Sequence, residues 1–414
     1  MHGVVTTLPT DPRTVPRARI AGMDAAGLTL LLSPQGWALL GALPPYDESR
    51  TLAISERLRN DGLDPVLVAA ALTQSRLRAK AHDKLGTFAD GMLFTPTGLE
   101  QATRLEVAAR HAQRYVAAGV THVADLTCGI GADAMAFAGM GLRVLAIDAD
   151  EVTAAIATVN LRHFPESAVR HADSLTVDLA GVDGAYADPA RRTTAGSRVH
   201  DPAAYSPPLD AVLAVRSRVP ALGVKVGPGI PHSALPSDAE TQWVSVDGDV
   251  VEAGLWFGPL APHGPGRSVL VLRGSAAHVL RAEPGGDRPP VGAVGEYLFE
   301  PDGAVIRAGL VGEVADLVSG RLIDSTIAYV TADMPHETPF ATAYRVLDTL
   351  PFGLKRLRSY LRERDVGRLT IKKRGTAVVP EQLRAQLDLH GRAEATIILT
   401  RVAGRQVVLL VDPI

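Results

Sequence analysis

Residues 123–148 read Val-Ala-Asp-Leu-Thr-Cys-Gly-Ile-Gly-Ala-Asp-Ala-Met-Ala-Phe-Ala-Gly-Met-Gly-Leu-Arg-Val-Leu-Ala-Ile-Asp, and they carry the clearest structural signal in the chain. Their apolar start predicts a short buried parallel strand. Gly129 and Gly131 follow this strand, and glycine, which has no Cβ atom, permits a sharp turn there. A short helix is predicted over 132–140, and a second buried strand then leads to Asp148. The order of strand, glycine turn, helix and strand predicts a doubly wound α/β sheet.

A doubly wound sheet binds its ligand at the carboxyl ends of its strands, where Asp148 can accept hydrogen bonds from both hydroxyls of a ribose. Dinucleotide-binding turns carry Gly-x-Gly-x-x-Gly, and in this sequence Ala134 takes the place of the third glycine. Asp133 near the helix start would repel a pyrophosphate, whereas it is compatible with a cationic sulfonium. Asp125 at the end of the first strand also suits a positively charged ligand. The alternative is a glycine turn in an ordinary parallel sheet.

The stretch resembles motif I and the second-strand acid of class I S-adenosylmethionine-dependent methyltransferases. In this interpretation Asp148 binds the ribose, Asp173 lies beside the adenine with Ser174 behind it, and Asp125 lies near the ammonium group of the methionine half. The predicted cofactor-binding set is Asp125, Thr127, Gly129, Gly131, Asp148, Asp173 and Ser174. Two alternatives stay open, since Asp125 could cap a turn and Asp173 could cap a helix.

Length and composition limit the classes of protein to which the chain can belong. Its 414 residues allow about two or three domains, and with 46% hydrophobic and 21% charged residues a large core is expected. Because the net charge is −3, affinity for nucleic acid must come from a local basic patch. The single cysteine, Cys128, excludes an internal disulfide and a cysteine-rich zinc site, and we expect it to be a packing residue.

The sequence also predicts where the protein works. Residues 1–12 lack the basic start and apolar run of a signal peptide, and no apolar run reaches the length of a membrane span. The histidines show no metal-binding spacing. Together with the single cysteine, these features predict a cytoplasmic protein that binds neither a membrane nor a metal ion.

Four segments follow from the periodicity and composition of the chain. Residues 1–118 predict a helical N-terminal domain, in which Asp64-Pro65 is a clear helix start. Residues 119–280 predict one α/β domain with the sheet of a class I methyltransferase. Residues 281–295 are rich in proline and glycine and predict a linker. Residues 296–414 predict a third domain of mixed α/β structure.

The α/β domain continues after Asp148 with helices that alternate with strands. A hairpin is predicted around Asp247-Gly248. The other predicted strands lie at 168–173, 184–189, 222–226 and 268–272. This pattern predicts a Rossmann-like, mostly parallel sheet in which one late strand runs antiparallel.

The stretch Asp188-Pro189-Ala190-Arg191 is similar to the Asp/Asn-Pro-Pro-aromatic motif of class I enzymes that act on exocyclic amines. The resemblance implies that Asp188 and the Pro189 carbonyl face the methyl-accepting atom. The sequence departs from the motif at Ala190 and at Arg191, where an aromatic residue would stack on the base. Because arginine can also stack on a base or hold a phosphate, Asp188, Pro189 and Arg191 are the predicted catalytic residues. An Asp-Pro turn at a strand end is the alternative.

The segment from Lys355 to Arg374 is strongly basic in a chain that is acidic overall. It holds nine lysine and arginine residues against two acids. Phosphate contacts dominate affinity for nucleic acid, so the segment predicts an RNA-binding surface, and a second basic run at 76–84 could add to it. The predicted RNA-binding residues are Arg368, Lys372, Lys373 and Arg374. A solvated basic helix and strand is the alternative.

Nearly the whole chain after about residue 60 resembles an uncharacterised bacterial family. Its members join a helical N-terminal region, a class I methyltransferase domain and a C-terminal THUMP-like domain. The matching stretches are Phe94–Thr103, Asp125–Asp133, Asp188–Arg192, Tyr205–Leu209, Lys225–Ile230, Tyr297–Asp302 and Leu369–Gly375. The resemblance implies an S-adenosylmethionine-dependent methyltransferase, and with the basic segment it predicts structured RNA, tRNA or rRNA, as the substrate. Two alternatives are a non-catalytic RNA-binding protein with this fold and a small-molecule methyltransferase.

Overall fold

The computed structural model of the chain describes residues 25–190, 202–282 and 289–414. The chain divides between Ala187 and Asp188 into two compact units, a boundary that falls inside the predicted α/β domain. Of the sequence predictions, residues 1–24 of the N-terminal domain, Arg191, Arg192 and residues 283–288 of the linker lie outside the described residues.

Helices open the first unit, as the sequence predicts. Their bounds are α1 Ala25–Leu31, α2 Pro34–Ala42, α3 Thr51–Asn60, α4 Pro65–Leu85, α5 Pro96–Gln101 and α6 Leu105–Ala117. The predicted start of α4 is confirmed, because the Asp64 carboxylate accepts hydrogen bonds from the backbone N–H groups of Val66 and Leu67. Buried apolar side chains of α1 to α5 share one core with Ile130 and Ile156, so this helical region packs on the segment that holds the glycine turn.

The rest of the first unit alternates strands and helices. Their bounds are β1 His122–Asp125, α7 Ala132–Gly139, β2 Arg143–Asp148, α8 Glu151–Asn160, β3 Ser167–His171 and β4 Gly184–Ala187. The strands lie in the order β3-β2-β1-β4, and every neighbouring pair is parallel. Their carboxyl ends therefore meet at one edge, where Asp125 and Asp148 are the last residues of β1 and β2. The predicted strand–turn–helix–strand core is confirmed.

The second unit begins with the later strands of the predicted methyltransferase sheet. Its first elements are α9 Leu209–Leu213, β5 Ala221–Val226, β6 Glu240–Val246, β7 Asp249–Trp256, β8 Gly266–Arg273 and β9 Ala276–Arg281. The predicted hairpin joins β6 to β7, and its turn residues Asp247 and Gly248 both have positive φ. Strand β7 runs antiparallel to β5 and β6, which confirms the predicted late antiparallel strand. Strand β9 is not among the predicted strands, although its Gly274-Ser275 turn is a hairpin signal.

The remainder of the second unit is a mixed α/β structure. Its elements are β10 Tyr297–Pro301, α10 Gly303–Ala308, α11 Val311–Leu317, β11 Arg321–Asp324, β12 Ile327–Ala332, β13 Ala341–Pro351, α12 Leu354–Glu363, β14 Val366–Lys373, α13 Pro380–Leu387, β15 Ala393–Val402 and β16 Arg405–Pro413. The strands form a seven-stranded sheet in the order β11-β12-β10-β13-β16-β15-β14, in which β14 and β15 are parallel. Leucines of α12 and α13 pack on one face of this sheet, and a second apolar core covers the other.

Two absences hold for the part of the chain that the structure describes. No helix there is long and apolar enough to cross a membrane. Nor do three or more histidine, cysteine, aspartate or glutamate side chains come together there in a group that could hold a metal ion.

Candidate functional site

The glycine turn connects β1 to α7 and contacts the end of β2. Gly129 and Gly131 both adopt left-handed backbone conformations, with φ of +56° and +88°. The Cys128 N–H donates to the Ile147 carbonyl of β2, and the Gly131 N–H donates to the Cys128 carbonyl. A Cβ atom added at Gly129 would meet nothing within 4 Å, so the turn leaves open space beside its backbone. That space lets a ligand approach the backbone closely.

Asp148 is tied to this turn through its carboxylate. Its Oδ2 accepts a hydrogen bond from the Gly129 N–H at 3.0 Å, and its Oδ1 accepts one from the Asp150 N–H at 2.9 Å. Burial raises the pKa of Asp148, and these two backbone hydrogen bonds offset the effect only in part. Each carboxylate oxygen has a second lone pair, so the group can still accept a hydrogen bond at each oxygen.

Asp125 and Thr127 lie at the start of the turn. Asp125 is only 1% exposed, and its Oδ1 lies 3.3 Å from the Thr127 N–H, which donates to it. This contact is the turn cap that was the alternative interpretation of Asp125. The carboxylate nevertheless stays at the carboxyl end of β1, beside the end of β2 in the parallel ladder.

Asp173 and Ser174 lie just beyond β3. The Asp173 carboxylate accepts from the Leu175 N–H at 2.9 Å, and its carbonyl accepts from Val177. Asp173 is thus exposed at the head of a short turn, whereas Ser174 is buried. The predicted strand at 168–173 ends earlier than expected, at His171, because Asp173 bonds to its own turn instead of pairing with β2.

Asp133, which distinguishes this turn from a dinucleotide site, is held inside the fold. It lies in the first turn of α7 and is buried. Thr103 Oγ1 donates to its Oδ2 at 2.6 Å, and His111 Nδ1 lies 2.9 Å from its Oδ1. The carboxylate therefore anchors the start of α7 to α6 and to the loop that precedes α6.

Asp188 follows β4 directly and meets a residue that sequence reasoning missed. Lys225 Nζ lies 2.6 Å from Asp188 Oδ2. Lys225 is 7% exposed although it lies in the wholly buried strand β5. A lysine within a continuous apolar strand signals a buried ionic partner, so the sequence did contain a clue to this pair. The cation favours the ionised form of Asp188.

The backbone beyond Asp188 is held in place as well. Pro189 is buried, and Ala190 exchanges two backbone hydrogen bonds with Ser206, at 2.8 and 3.0 Å. Ser206 belongs to Tyr205–Leu209, one of the stretches on which the resemblance to the family rests. The structure therefore brings together two of the family's matching stretches beside Asp188.

Cys128 fits the packing role expected for it. It is buried in the glycine turn. Burial, followed by the nearby charges of Asp125 and Asp148, raises the pKa of its thiol well above the usual value. A thiol that stays protonated is a poor nucleophile.

The four predicted RNA-binding residues point to different sides of β14. Lys372 pairs with Glu300 and lies 2.6 Å from the Tyr344 hydroxyl, and Arg374 lies 3.6 Å from Glu300 on the same side. Lys373 is exposed on the alternate side, since successive side chains of a strand point to opposite faces. Arg368 is exposed and pairs with Glu394.

Glu300 is the centre of a small ionic cluster. Burial acts to raise its pKa, but the hydrogen bond and charge of Lys372, with a further hydrogen bond from Tyr344, lower it overall. Arg374 lies over the Tyr329 ring, 5.2 Å from its centroid. Two of the four predicted cations therefore contact the Glu300 carboxylate within the second unit.

Comparison with known proteins shows the family of the chain. Residues 341–413 match the model of a THUMP domain-like family, and residues 24–81 match a domain of unknown function (DUF8688). An uncharacterised S-adenosylmethionine-dependent methyltransferase of Mycobacterium tuberculosis, from strains CDC 1551 and H37Rv, is 35% identical over 341 residues. The match covers 79% of this chain and 91% of that protein.

A solved structure shares the fold over most of the chain. It is the crystal structure of a presumed methyltransferase from Porphyromonas gingivalis W83, with a TM-score of 0.68 and 21% sequence identity. The similarity covers 89% of this chain and 99% of that one. The fold and the glycine turn with its strand-end acid thus define a class I methyltransferase. The chain belongs to the family of S-adenosylmethionine-dependent methyltransferases with a C-terminal THUMP-like domain.

The residues at the glycine turn fit S-adenosylmethionine. The open space beside Gly129 admits a ligand close to the backbone. Asp148 offers two acceptor oxygens at the carboxyl end of β2, which suits the two hydroxyls of a ribose. Asp125 and Asp148 both place carboxylates at this edge, which suits a cofactor that carries positive charge.

Proposed function

We propose that this methyltransferase acts on structured RNA, either tRNA or rRNA. The observation that carries the proposal is the exposed basic face of α12, which lies within the part of the chain that matches a THUMP domain-like model. Genuine THUMP domains bind RNA, and the resemblance extends that expectation to this domain.

The face of α12 has the chemistry of a phosphate-binding surface. Leu357 and Leu361 are buried against the sheet, whereas Lys355 and Arg356 are exposed. Arg364, just beyond the helix, lies over the Tyr360 ring at 3.5 Å from its centroid. Exposed cations bind phosphates, and an arginine stacked on an aromatic ring presents a flat surface to a base.

Strand β14 adds to the same face. Lys373 lies two and four residues after Ile371 and Leu369, so the three side chains point to the same face of the sheet. Leu369 and Ile371 belong to the apolar core under α12 and α13, and Lys373 therefore points to the side on which these helices pack. We assign the primary RNA contacts to α12 and Lys373, and secondary contacts to Arg368, Lys372 and Arg374. The Glu300 carboxylate offsets part of the charge of Lys372 and Arg374.

We propose that the cofactor-binding residues have the roles that the sequence predicts. Asp148 holds the ribose hydroxyls, and Asp173 with Ser174 borders the adenine. Asp125 lies near the ammonium group, and the backbone from Thr127 through the two glycines borders the methionine half. S-adenosylmethionine, when bound, supplies a methyl group on a sulfonium.

At the acceptor, we propose that Asp188 orients the nucleophile and does not deprotonate it. Lys225 holds the carboxylate ionised, so Asp188 accepts a hydrogen bond from an N–H of the acceptor amine. That bond leaves the nitrogen lone pair free for methylation, and the Pro189 carbonyl accepts from a second N–H. A bound S-adenosylmethionine would supply the methyl group to that nitrogen and leave as S-adenosylhomocysteine, and the surplus amine proton would pass to solvent. Positioning of this kind supplies much of the catalysis in an in-line displacement. For Arg191 we keep the two roles that the sequence allows, stacking on the base or holding a phosphate.

The RNA surface can be tested with a charge-matched pair of double variants. Lys355→Ala/Arg356→Ala is expected to weaken binding to bulk tRNA and to lower the slope of log K against log salt by about one to two, one phosphate contact for each cation removed. Binding is measured by filter retention over a range of salt concentrations. The control, Arg50→Ala/Arg57→Ala, removes two exposed cations from the N-terminal helical region and should leave the slope unchanged.

Three outcomes separate the alternatives. A lower slope in the α12 variant alone supports the proposal. Equal slopes of log K against log salt in the two variants would show that the RNA-binding surface lies elsewhere. Negligible affinity of the unmodified protein for tRNA and rRNA would favour a small-molecule methyltransferase.

A further inference from the structure

The glycine turn is supported from behind by a buried extended segment, residues 92–94, which joins the N-terminal helices to α5. Met92, Leu93 and Phe94 are all buried. An extended segment has backbone donors and acceptors that must be satisfied, and here two buried amide side chains supply the partners.

The two amides contact neighbouring residues of the segment. Gln74 on α4 binds Phe94, accepting from its N–H at 2.9 Å and donating to its carbonyl at 2.7 Å. Asn160, the last residue of α8, binds Leu93 in the same manner, at 2.8 and 3.0 Å. The pair holds the segment much as a neighbouring strand would.

Asn160 also contacts the glycine turn. Its Nδ2 also donates at 2.8 Å to the carbonyl of Ile130, the residue between the two left-handed glycines. Asn160 is 2% exposed, so this carbonyl is satisfied inside the protein and away from water. A single side chain thus connects the N-terminal helical region to the turn.

Two further sets of contacts hold the helical region against the glycine turn. A Cβ atom at Gly98 of α5 would lie 2.4 Å from Ile130 Cγ2, so α5 packs as closely on Ile130 as a glycine permits. Thr103 and His111 hold Asp133 at the start of α7, immediately after the turn. The conformation of the turn therefore depends on residues that precede the methyltransferase sheet.

We propose that Asn160 is a positioning residue for S-adenosylmethionine binding, and that the N-terminal helical region, through residues 92–94 and Gly98, is part of the framework of the cofactor site. A turn with two left-handed glycines has many accessible conformations, and the Ile130 carbonyl is the point at which one of them is selected. Loss of that bond leaves the carbonyl buried and unsatisfied, and the turn then moves to expose it.

The test compares two substitutions that remove similar contacts from the same segment. Asn160→Ala and Gln74→Ala should both lower the melting temperature of the full chain. Asn160→Ala should also weaken S-adenosylhomocysteine binding roughly ten- to a hundredfold, and Gln74→Ala by less than about twofold. Affinity is measured by calorimetric titration well below the melting temperature of each variant.

Two more variants separate positioning from general destabilisation. Asn160→Asp keeps the shape and the acceptor for the Leu93 N–H but loses the donor to the Leu93 and Ile130 carbonyls, so it should weaken binding as alanine does. Gly98→Ala adds a Cβ atom that would displace the Ile130 side chain, so it should also weaken S-adenosylhomocysteine binding. Unchanged affinity in Asn160→Asp and Gly98→Ala, or an equal loss in Gln74→Ala, would overturn the proposal.

Discussion

Asp148→Ala is expected to weaken binding of S-adenosylmethionine and S-adenosylhomocysteine by about tenfold to more than a hundredfold, roughly 1.5–3 kcal/mol. The carboxylate is placed to accept both ribose hydroxyls, and such charge-assisted hydrogen bonds are stronger than neutral ones. It also holds the Gly129 N–H, so its removal loosens the turn as well. Calorimetric titration of the purified variant measures the effect directly.

The control for this substitution is Asp150→Ala, two residues further along the chain. Asp150 is exposed and caps α8 by accepting from the Thr153 N–H, so the variant loses the same charge near the same edge. It should bind within about twofold of the unmodified protein. Full affinity in Asp148→Ala would refute the ribose role.

The pH dependence of binding follows from the raised pKa of Asp148. The ionised carboxylate accepts two hydrogen bonds, whereas the protonated form loses its charge and turns one oxygen into a donor. Affinity should therefore be full above this pKa and fall as the pH drops through it. Because burial raises the pKa, the fall should begin at a higher pH than for an ordinary aspartate. Asp148→Asn should bind more weakly and lack this fall.

Lys225→Met is expected to lower the free energy of unfolding by about 2–3 kcal/mol, since removal of one partner leaves the other charge poorly solvated. This loss of stability is smaller than for a fully buried ion pair because the Asp188 side chain is 25% exposed. Methionine keeps most of the apolar length of lysine, so packing changes little. Urea unfolding measures the stability, and transfer of a labelled methyl group to fractionated cellular RNA measures function.

A double-mutant cycle with Asp188→Asn separates the structural role of the pair from its catalytic role. Each single variant leaves a lone charge, whereas Lys225→Met/Asp188→Asn leaves none and should recover most of the stability. Methyl transfer should fall at least a hundredfold in Asp188→Ala, which removes the acceptor oxygen, and much less in Asp188→Asn, because the amide oxygen of asparagine can still accept a hydrogen bond from the amine. Stability that is not recovered would contradict the coupling, and full transfer by Asp188→Ala would remove Asp188 from the acceptor site.

Local pattern was enough to predict the core of the methyltransferase fold. Apolar runs of strand length, glycines at the turn and an acid after β2 each report on their own segment, and the structure confirms all of them. The Asp247-Gly248 hairpin and the Asp64-Pro65 helix start are equally local, because turn and cap preferences depend on neighbouring residues.

What the tertiary structure alone decided is the pairing of polar groups across long stretches of sequence. Lys225 meets Asp188, Asn160 meets both Leu93 and Ile130, and Lys372 meets Glu300 from a distant strand. In the sequence, Lys372 lies among other basic residues. In the fold, the alternation of side chains along β14 directs it to the Glu300 carboxylate, which lies far away in the sequence. Periodicity shows which face of an element is buried. Only the packed fold shows which distant residue satisfies a buried charge, since that partner is selected by the cost of leaving the charge alone.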